Sequence, residues 1–208
     1  MRNFILLFFS FSFCSLFAQK ELASFEIGQT PELSKFELQD IDGKYKKLET
    51  LSGNNGLLIV FSCNTCPFVI GGGDFSGWEK DYSSLYKAAE AAGVKMILVN
   101  SNEAKRTAGD GFEDMVSRAK EKEYLSPYLY DKNSELADYL GAGTTPHLFL
   151  LDKSGKLIYK GGIDNTWDPK RKTDEHYILP VLDAVKKSKK LPYTSTQNRG
   201  CSIKRVAH

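Results

Sequence analysis

The segment GLLIVF at residues 56–61 has no polar face, and it runs almost directly into two thiols, Cys63 and Cys66. An apolar run of this length reads as a central strand covered on both sides, which demands a sheet with helices on each face. The thiols stand at the carboxyl end of that strand, just before Pro67. A helix starting there presents unsatisfied backbone N–H groups that favour a thiolate. Two sulfurs at i and i+3 can close a small disulfide, one attacking and the other resolving, so a redox pair is the first reading. Half of a zinc site is the second, but zinc wants a second closely spaced pair of ligands. Beyond the amino-terminal segment only Cys201, His147, His176 and His208 remain, scattered, so no metal is expected. A buried, inert pair is the third.

The rest of the chain fits around this strand. Residues 36–38 and 45–48 alternate about Asp42-Gly43 as a small hairpin would. After Pro67 a helix starts and is broken by the glycine-rich stretch 71–77, read as a surface insertion. Helical pattern resumes at Trp78 and stops at Gly93; VKMILV (94–99) is a second buried strand. Phe112, Met115, Val116 and Ala119 mark another helix, Tyr128-Leu129-Tyr130 a short strand, and residues 134–140 a small helix before Gly141. Residues 147–151 and 157–159 form a strand pair about Asp152-Lys153-Ser154-Gly155, and an amphipathic helix runs from 175 to about 187. Strand, helix, strand, helix, antiparallel hairpin and closing helix describe an α/β three-layer sandwich with a central mixed β-sheet.

Residues 1–18 read as a secretory leader, one basic residue followed by an apolar stretch too short to span a bilayer and ending in Ala18. Cys14 would leave with it; Phe13 in front of it argues against acylation. Removal takes Arg2 from the 28 basic residues and none of the 26 acidic ones, so the charge drops by one from +2. Such a balance excludes nucleic acid as a partner, and the chain is not expected to be an integral membrane protein. Residues 19–190 make one domain and 191–208 a basic carboxyl-terminal tail. The expected location is periplasmic or secreted, where an odd thiol, Cys201, is left once Cys63 and Cys66 pair.

The pieces FSCNTCPFV, LVNSNEAKR, DKNSELADYLGAGTTPHLFLLDKSGKLIYKGGID and GCSIKR together resemble the thioredoxin-like superfamily, in its redoxin or peroxiredoxin-like (AhpC/TSA-type) branch. The resemblance implies a thioredoxin-like fold with the thiol pair facing Thr145 and a cis Pro146 as the substrate-binding edge. It implies no cofactor. The expected function is an exported thiol:disulfide oxidoreductase in which Cys63 attacks and Cys66 resolves. Its partners would be protein or small-molecule disulfides, with a membrane thiol reductant expected by family analogy alone.

One alternative is a peroxiredoxin-like thiol peroxidase with Cys66 peroxidatic and Cys63 resolving, acting on peroxide. Against it, the motif P-x-x-x-T-x-x-C set on Cys66 meets Ile59 and Cys63 in the proline and threonine slots, and the stretch at 160–162 holds no arginine. Another alternative is a non-catalytic binding module of the same fold. Auxiliary candidates are His147, which follows Pro146, and Cys201, a second resolving thiol or merely an exposed residue of a mobile tail. Asn100, Asn102 and Glu103, at the end of the neighbouring strand, could line the same edge.

Overall fold

In this computed structural model, residues 24–206 are described; the leader expected at 1–18 lies outside them. The apolar run becomes β3 (Gly56–Ser62), buried at every position. It lies parallel to β4 (Val94–Asn100) and antiparallel to β7 (His147–Asp152), with Phe61 opposite His147 and Gly56 opposite Asp152. Outward on one side stand β5 (Tyr128–Tyr130), β1 (Glu37–Asp40) and β2 (Tyr45–Lys47); on the other side stands β8 (Leu157–Gly161). The seven strands run in the order β2-β1-β5-β4-β3-β7-β8, so the sheet is mixed as expected.

Strand alternation splits the core in two. Leu58 and Val60 face α2 (Tyr82–Ala91), α3 (Phe112–Glu121) and α5 (Ile178–Lys186), packing with Leu85, Met115 and Val181. Leu57, Ile59 and Phe61 face the other way, onto Leu136 and Leu140 of α4 (Glu135–Leu140) and onto Leu48. This is the three-layer, thioredoxin-like sandwich. Among the described residues no helix is long and apolar enough to cross a membrane.

Two boundaries differ from the sequence pattern for local reasons. The last helix starts at Ile178 rather than 175, because Glu175 donates its N–H to Asn165 Oδ1 (2.9 Å) and Tyr177 its own to the Ile163 carbonyl (3.0 Å). Those bonds tie the chain to the segment that follows β8, where Asp164 and His176 form an antiparallel bridge. The glycine-rich stretch is a compact turn rather than a loose insertion: it follows the single turn α1 (Pro67–Ile70), and Gly72 and Phe75 exchange backbone bonds (2.9 and 3.3 Å). Its Phe75 ring lies 4.8 Å from Trp78.

Among the described residues, the carboxyl-terminal segment is not a free tail. Thr194 and Thr196 bond the backbone of Lys160 on β8. Cys201–Ser202 then form β9, antiparallel to β6 (Thr144–Thr145). Ile203 is buried in the core and its N–H meets the Gly143 carbonyl at 3.0 Å. Arg205 closes the strap on Asp138 Oδ1 (2.6 Å) and the Ala142 carbonyl (2.7 Å). Of the basic residues that read as a mobile tail, Lys204 is tied by its backbone to Asn102 and Ala104, and Arg205 by its side chain to Asp138.

Candidate active site

Beyond Ser62 the chain leaves the sheet and places Cys63 and Cys66 against the α2 face of the core, in one cluster with Val69 and Trp78. Thr145 reaches them from β6: its hydroxyl lies 3.2 Å from Cys63 Sγ, and its carbonyl oxygen 3.2 Å from Cys66 Sγ. The Thr145–Pro146 peptide bond is cis. Cys63 is fully buried and Cys66 is 3% exposed.

The loop that carries the thiols is held by a carboxylate the sequence did not single out. Asp110 is completely buried and accepts four bonds. Its Oδ1 takes the Asn64 N–H (2.6 Å) and Asn100 Nδ2 (2.8 Å). Its Oδ2 takes the Thr65 hydroxyl (2.6 Å) and Asn102 Nδ2 (3.0 Å). Tyr128 adds a bond from its hydroxyl to Asn64 Oδ1 (2.9 Å). Gly109, at φ +98°, comes so close that a Cβ there would stand 2.9 Å from Thr65 Cγ2, so this loop accepts only glycine without displacing the thiol loop. Arg106 completes the frame, donating to the Asp110 carbonyl (2.8 Å) and to Asn100 Oδ1 (3.0 Å). Asn100 and Asn102 thus act one layer behind the thiols, while Glu103 pairs with Arg106 at 3.1 Å. The only sequence signal was a polar run ending a buried strand, which a solvated loop explains equally well.

The surroundings set the two sulfurs apart. Protonated, Cys66 donates to the Thr145 carbonyl; ionised, it accepts from the Cys63 thiol and from the thiol and backbone N–H of Cys201. The donors outweigh burial and hold Cys66 down at about 5. Cys63 moves the other way, pushed well above the ordinary thiol range by its partner sulfur, by burial and by the Asp110 charge.

The auxiliary candidates separate clearly. Cys201 lies opposite Thr145 in the β6–β9 pair, half-buried and packed against the cluster that holds both thiols. Gly200 before it makes this approach: a Cβ there would stand 2.3 Å from the Thr145 carbonyl oxygen. His147 lies on the far face of the sheet, its ring centroid 4.5 Å from that of Phe149, and its Nδ1 accepts from the Gly143 N–H (3.4 Å). Burial holds it down at about 4, so it is neutral, and among the described residues it bonds neither sulfur.

A cavity of about 310 Å³ opens beside the thiol loop, lined by Pro67, Phe68, Phe75 and Trp167. The Arg199 guanidinium stands over its rim, 5.3 Å from the Trp167 ring centre and 5.6 Å from that of Phe68. A larger cavity of about 380 Å³ near Asp81 and His176 touches neither sulfur.

Comparison with known proteins places this geometry. The structure is similar to an uncharacterized conserved protein from Geobacillus kaustophilus, at 29% identity and TM-score 0.76 over 90% of this chain and 96% of that one. It is also similar to a hypothetical protein from Sinorhizobium meliloti, at 27% identity and TM-score 0.74 over 91% of this chain and 100% of that one. A Xanthomonas campestris peroxiredoxin Q shares the fold alone, at 14% identity and TM-score 0.51 over 81% of this chain and 96% of that one. No curated protein matches the sequence. The AhpC/TSA family matches residues 30–160, a stretch that includes Cys63, Cys66 and Thr145 and exceeds half the sequence, and the chain belongs to that family.

Proposed function

We propose that the protein is a thiol:disulfide oxidoreductase that cycles Cys63 and Cys66 between dithiol and disulfide, with Cys66 as the charged sulfur of the reduced pair. The observation that carries this reading is Thr145, which stands against both sulfurs at once, its hydroxyl 3.2 Å from Cys63 Sγ and its carbonyl oxygen 3.2 Å from Cys66 Sγ, the latter bond made while Cys66 is protonated. The Cys66 thiolate attacks a target disulfide, forming a mixed disulfide and releasing one target thiolate. Cys63 then attacks Cys66 Sγ, closing the protein disulfide and releasing the second target sulfur, which takes the Cys63 proton. Two electrons pass from the pair to the target.

These roles reverse the sequence expectation of attack by Cys63. Burial and the neighbouring Asp110 charge disfavour a Cys63 thiolate, while the donors around Cys66 favour one. Replacement of single cysteines tests the order. Cys63→Ser should still form a mixed disulfide with a small test disulfide and stall there, and Cys66→Ser should not react. The opposite pattern would restore Cys63 as the nucleophile.

Membership of the AhpC/TSA family supports a second reading, a peroxidase in which Cys66 becomes a sulfenic acid that Cys63 resolves. Among the described residues no arginine is hydrogen-bonded to either sulfur, so nothing polarises a bound peroxide in the way that reading needs. Thiol loss to hydrogen peroxide orders of magnitude faster than that of free cysteine would select it; loss near that of free cysteine leaves disulfide exchange. We place the activity outside the cytoplasm, on the leader-like residues 1–18. The amino terminus of the protein isolated from its source should then begin near Gln19.

A further inference from the structure

Both sulfurs of the pair are almost sealed from solvent, whereas Cys201 is half-buried. Of the three described thiols, Cys201 therefore presents the most surface to an external reductant. Cys201 is not a loose terminal thiol. It is fixed opposite Thr145, with Gly200 pressed on the Thr145 carbonyl, and beyond it Ile203 and Arg205 anchor the strap. Opposite residues of an antiparallel pair point to the same face, and the Thr145 side chain points at Cys63. The Cys201 sulfur interacts with Cys66 on one side and with the Phe68 backbone N–H, at the rim of the 310 Å³ cavity, on the other.

We propose that Cys201 is a third redox sulfur that moves the disulfide from the buried pair to the surface. The idea rests on the cycle of Cys63 and Cys66 proposed above. The Cys201 thiol, pushed up to about 11 by burial and by the Cys66 sulfur, attacks Cys66 Sγ of the Cys63–Cys66 disulfide as its proton is passed on to the departing sulfur. A Cys66–Cys201 bond forms, the Cys63–Cys66 bond breaks, and Cys63 leaves as a thiolate that takes up the proton Cys201 has lost. No electron is gained or lost in this step. An external thiol then attacks the half-buried Cys201 Sγ and expels Cys66 as the stabilised thiolate, which is the better leaving group. A second external thiol releases Cys201, so two external thiols become one disulfide and the protein is fully reduced. Cys66 is the shared sulfur, since it alone interacts with both of the others.

Two measurements test the relay. In Cys63→Ser protein oxidised with diamide, non-reducing peptide mapping should find one intramolecular Cys66–Cys201 link; only glutathione adducts or intermolecular links after oxidation would overturn the proposal. In the second, the Cys63–Cys66 disulfide of otherwise unmodified protein is reduced by excess glutathione. Cys201→Ser should slow that reduction about tenfold or more. Equal rates would overturn it. Should wild type and Cys201→Ser both fail to form the Cys63–Cys66 disulfide, the oxidoreductase cycle itself is refuted, and with it the relay.

Discussion

Replacement of Asp110 by asparagine puts a number on the frame behind the thiols. The carboxylate accepts from Asn64 N–H and Asn100 Nδ2 on one oxygen, and from Thr65 Oγ1 and Asn102 Nδ2 on the other. With the asparagine oxygen in the first position, the two bonds there survive, weaker for the loss of charge. The new NH₂ then faces Thr65 and Asn102. Thr65 can turn its hydroxyl and accept. Asn102 has no such freedom, because its Oδ1 accepts the Lys204 N–H of the strap at 2.9 Å and a flip of its amide would break that bond. One buried donor is left without an acceptor, costing about 1–3 kcal/mol, and lost charge assistance adds about 1 kcal/mol. Asp110→Asn should therefore destabilise the reduced protein by about 2–4 kcal/mol and lower its urea midpoint by about 1–2 M. Asp110→Ala strands all four donors and should cost about 4 kcal/mol or more. Denaturant unfolding of the three proteins, followed by tryptophan fluorescence, gives the comparison. A loss below about 0.5 kcal/mol in Asp110→Asn, or equal losses in the two variants, would refute the accounting.

The ultraviolet absorbance of the thiolate in reduced protein should rise through a midpoint near pH 5, where an unperturbed cysteine rises near 9, and Cys63→Ala should move that midpoint upward by removing the first donor to Cys66; an unshifted midpoint would mean the other donors suffice. His147 is held at about 4 against 6.5, so the unfolded chain takes up its proton first. Its contribution, up to about 3 kcal/mol, is full above pH 6.5 and is lost as pH falls toward 4. Asp131, pushed up to about 6 by burial, acts in the opposite sense over much of the same window. The pH-dependent difference between wild type and His147→Asn isolates the histidine, and parallel stability curves would refute it. Ile203→Ala should cost about 2–3 kcal/mol by opening a buried site, and a neutral result would mean the strap is not part of the core.

The central strand, both neighbours and the hairpins were legible from the sequence because each depends on a short-range pattern. GLLIVF and VKMILV are apolar on both faces, residues 147–151 and 157–159 flank a turn-forming Asp-Lys-Ser-Gly, and a sandwich is the arrangement that covers such strands. Cys63 and Cys66 were legible by spacing, and Thr145-Pro146 by resemblance. Asp110 and Tyr128 were not, because each reaches Asn64 of the thiol loop across tens of residues of chain and no spacing announces it, and Arg106 acts on that loop only through Asp110 and Asn100. His147 shows the same limit: it follows Pro146 directly, yet strand alternation turns its ring to the opposite face.

Cys201 marks the division most clearly. Its sequence context is polar and basic, which reads as solvent-exposed chain. Its position beside Cys66 depends on Gly200 meeting Thr145, on Ile203 finding the core, and on Asn102 capturing Lys204. Each of those contacts joins segments more than 50 residues apart. Local pattern alone therefore determined the strands, the helices and the presence of a close thiol pair, since these follow from hydrophobic period and spacing. The tertiary structure decided which sulfur is charged and which third sulfur stands beside it, because desolvation and hydrogen bonding depend on what the fold brings within a few ångströms.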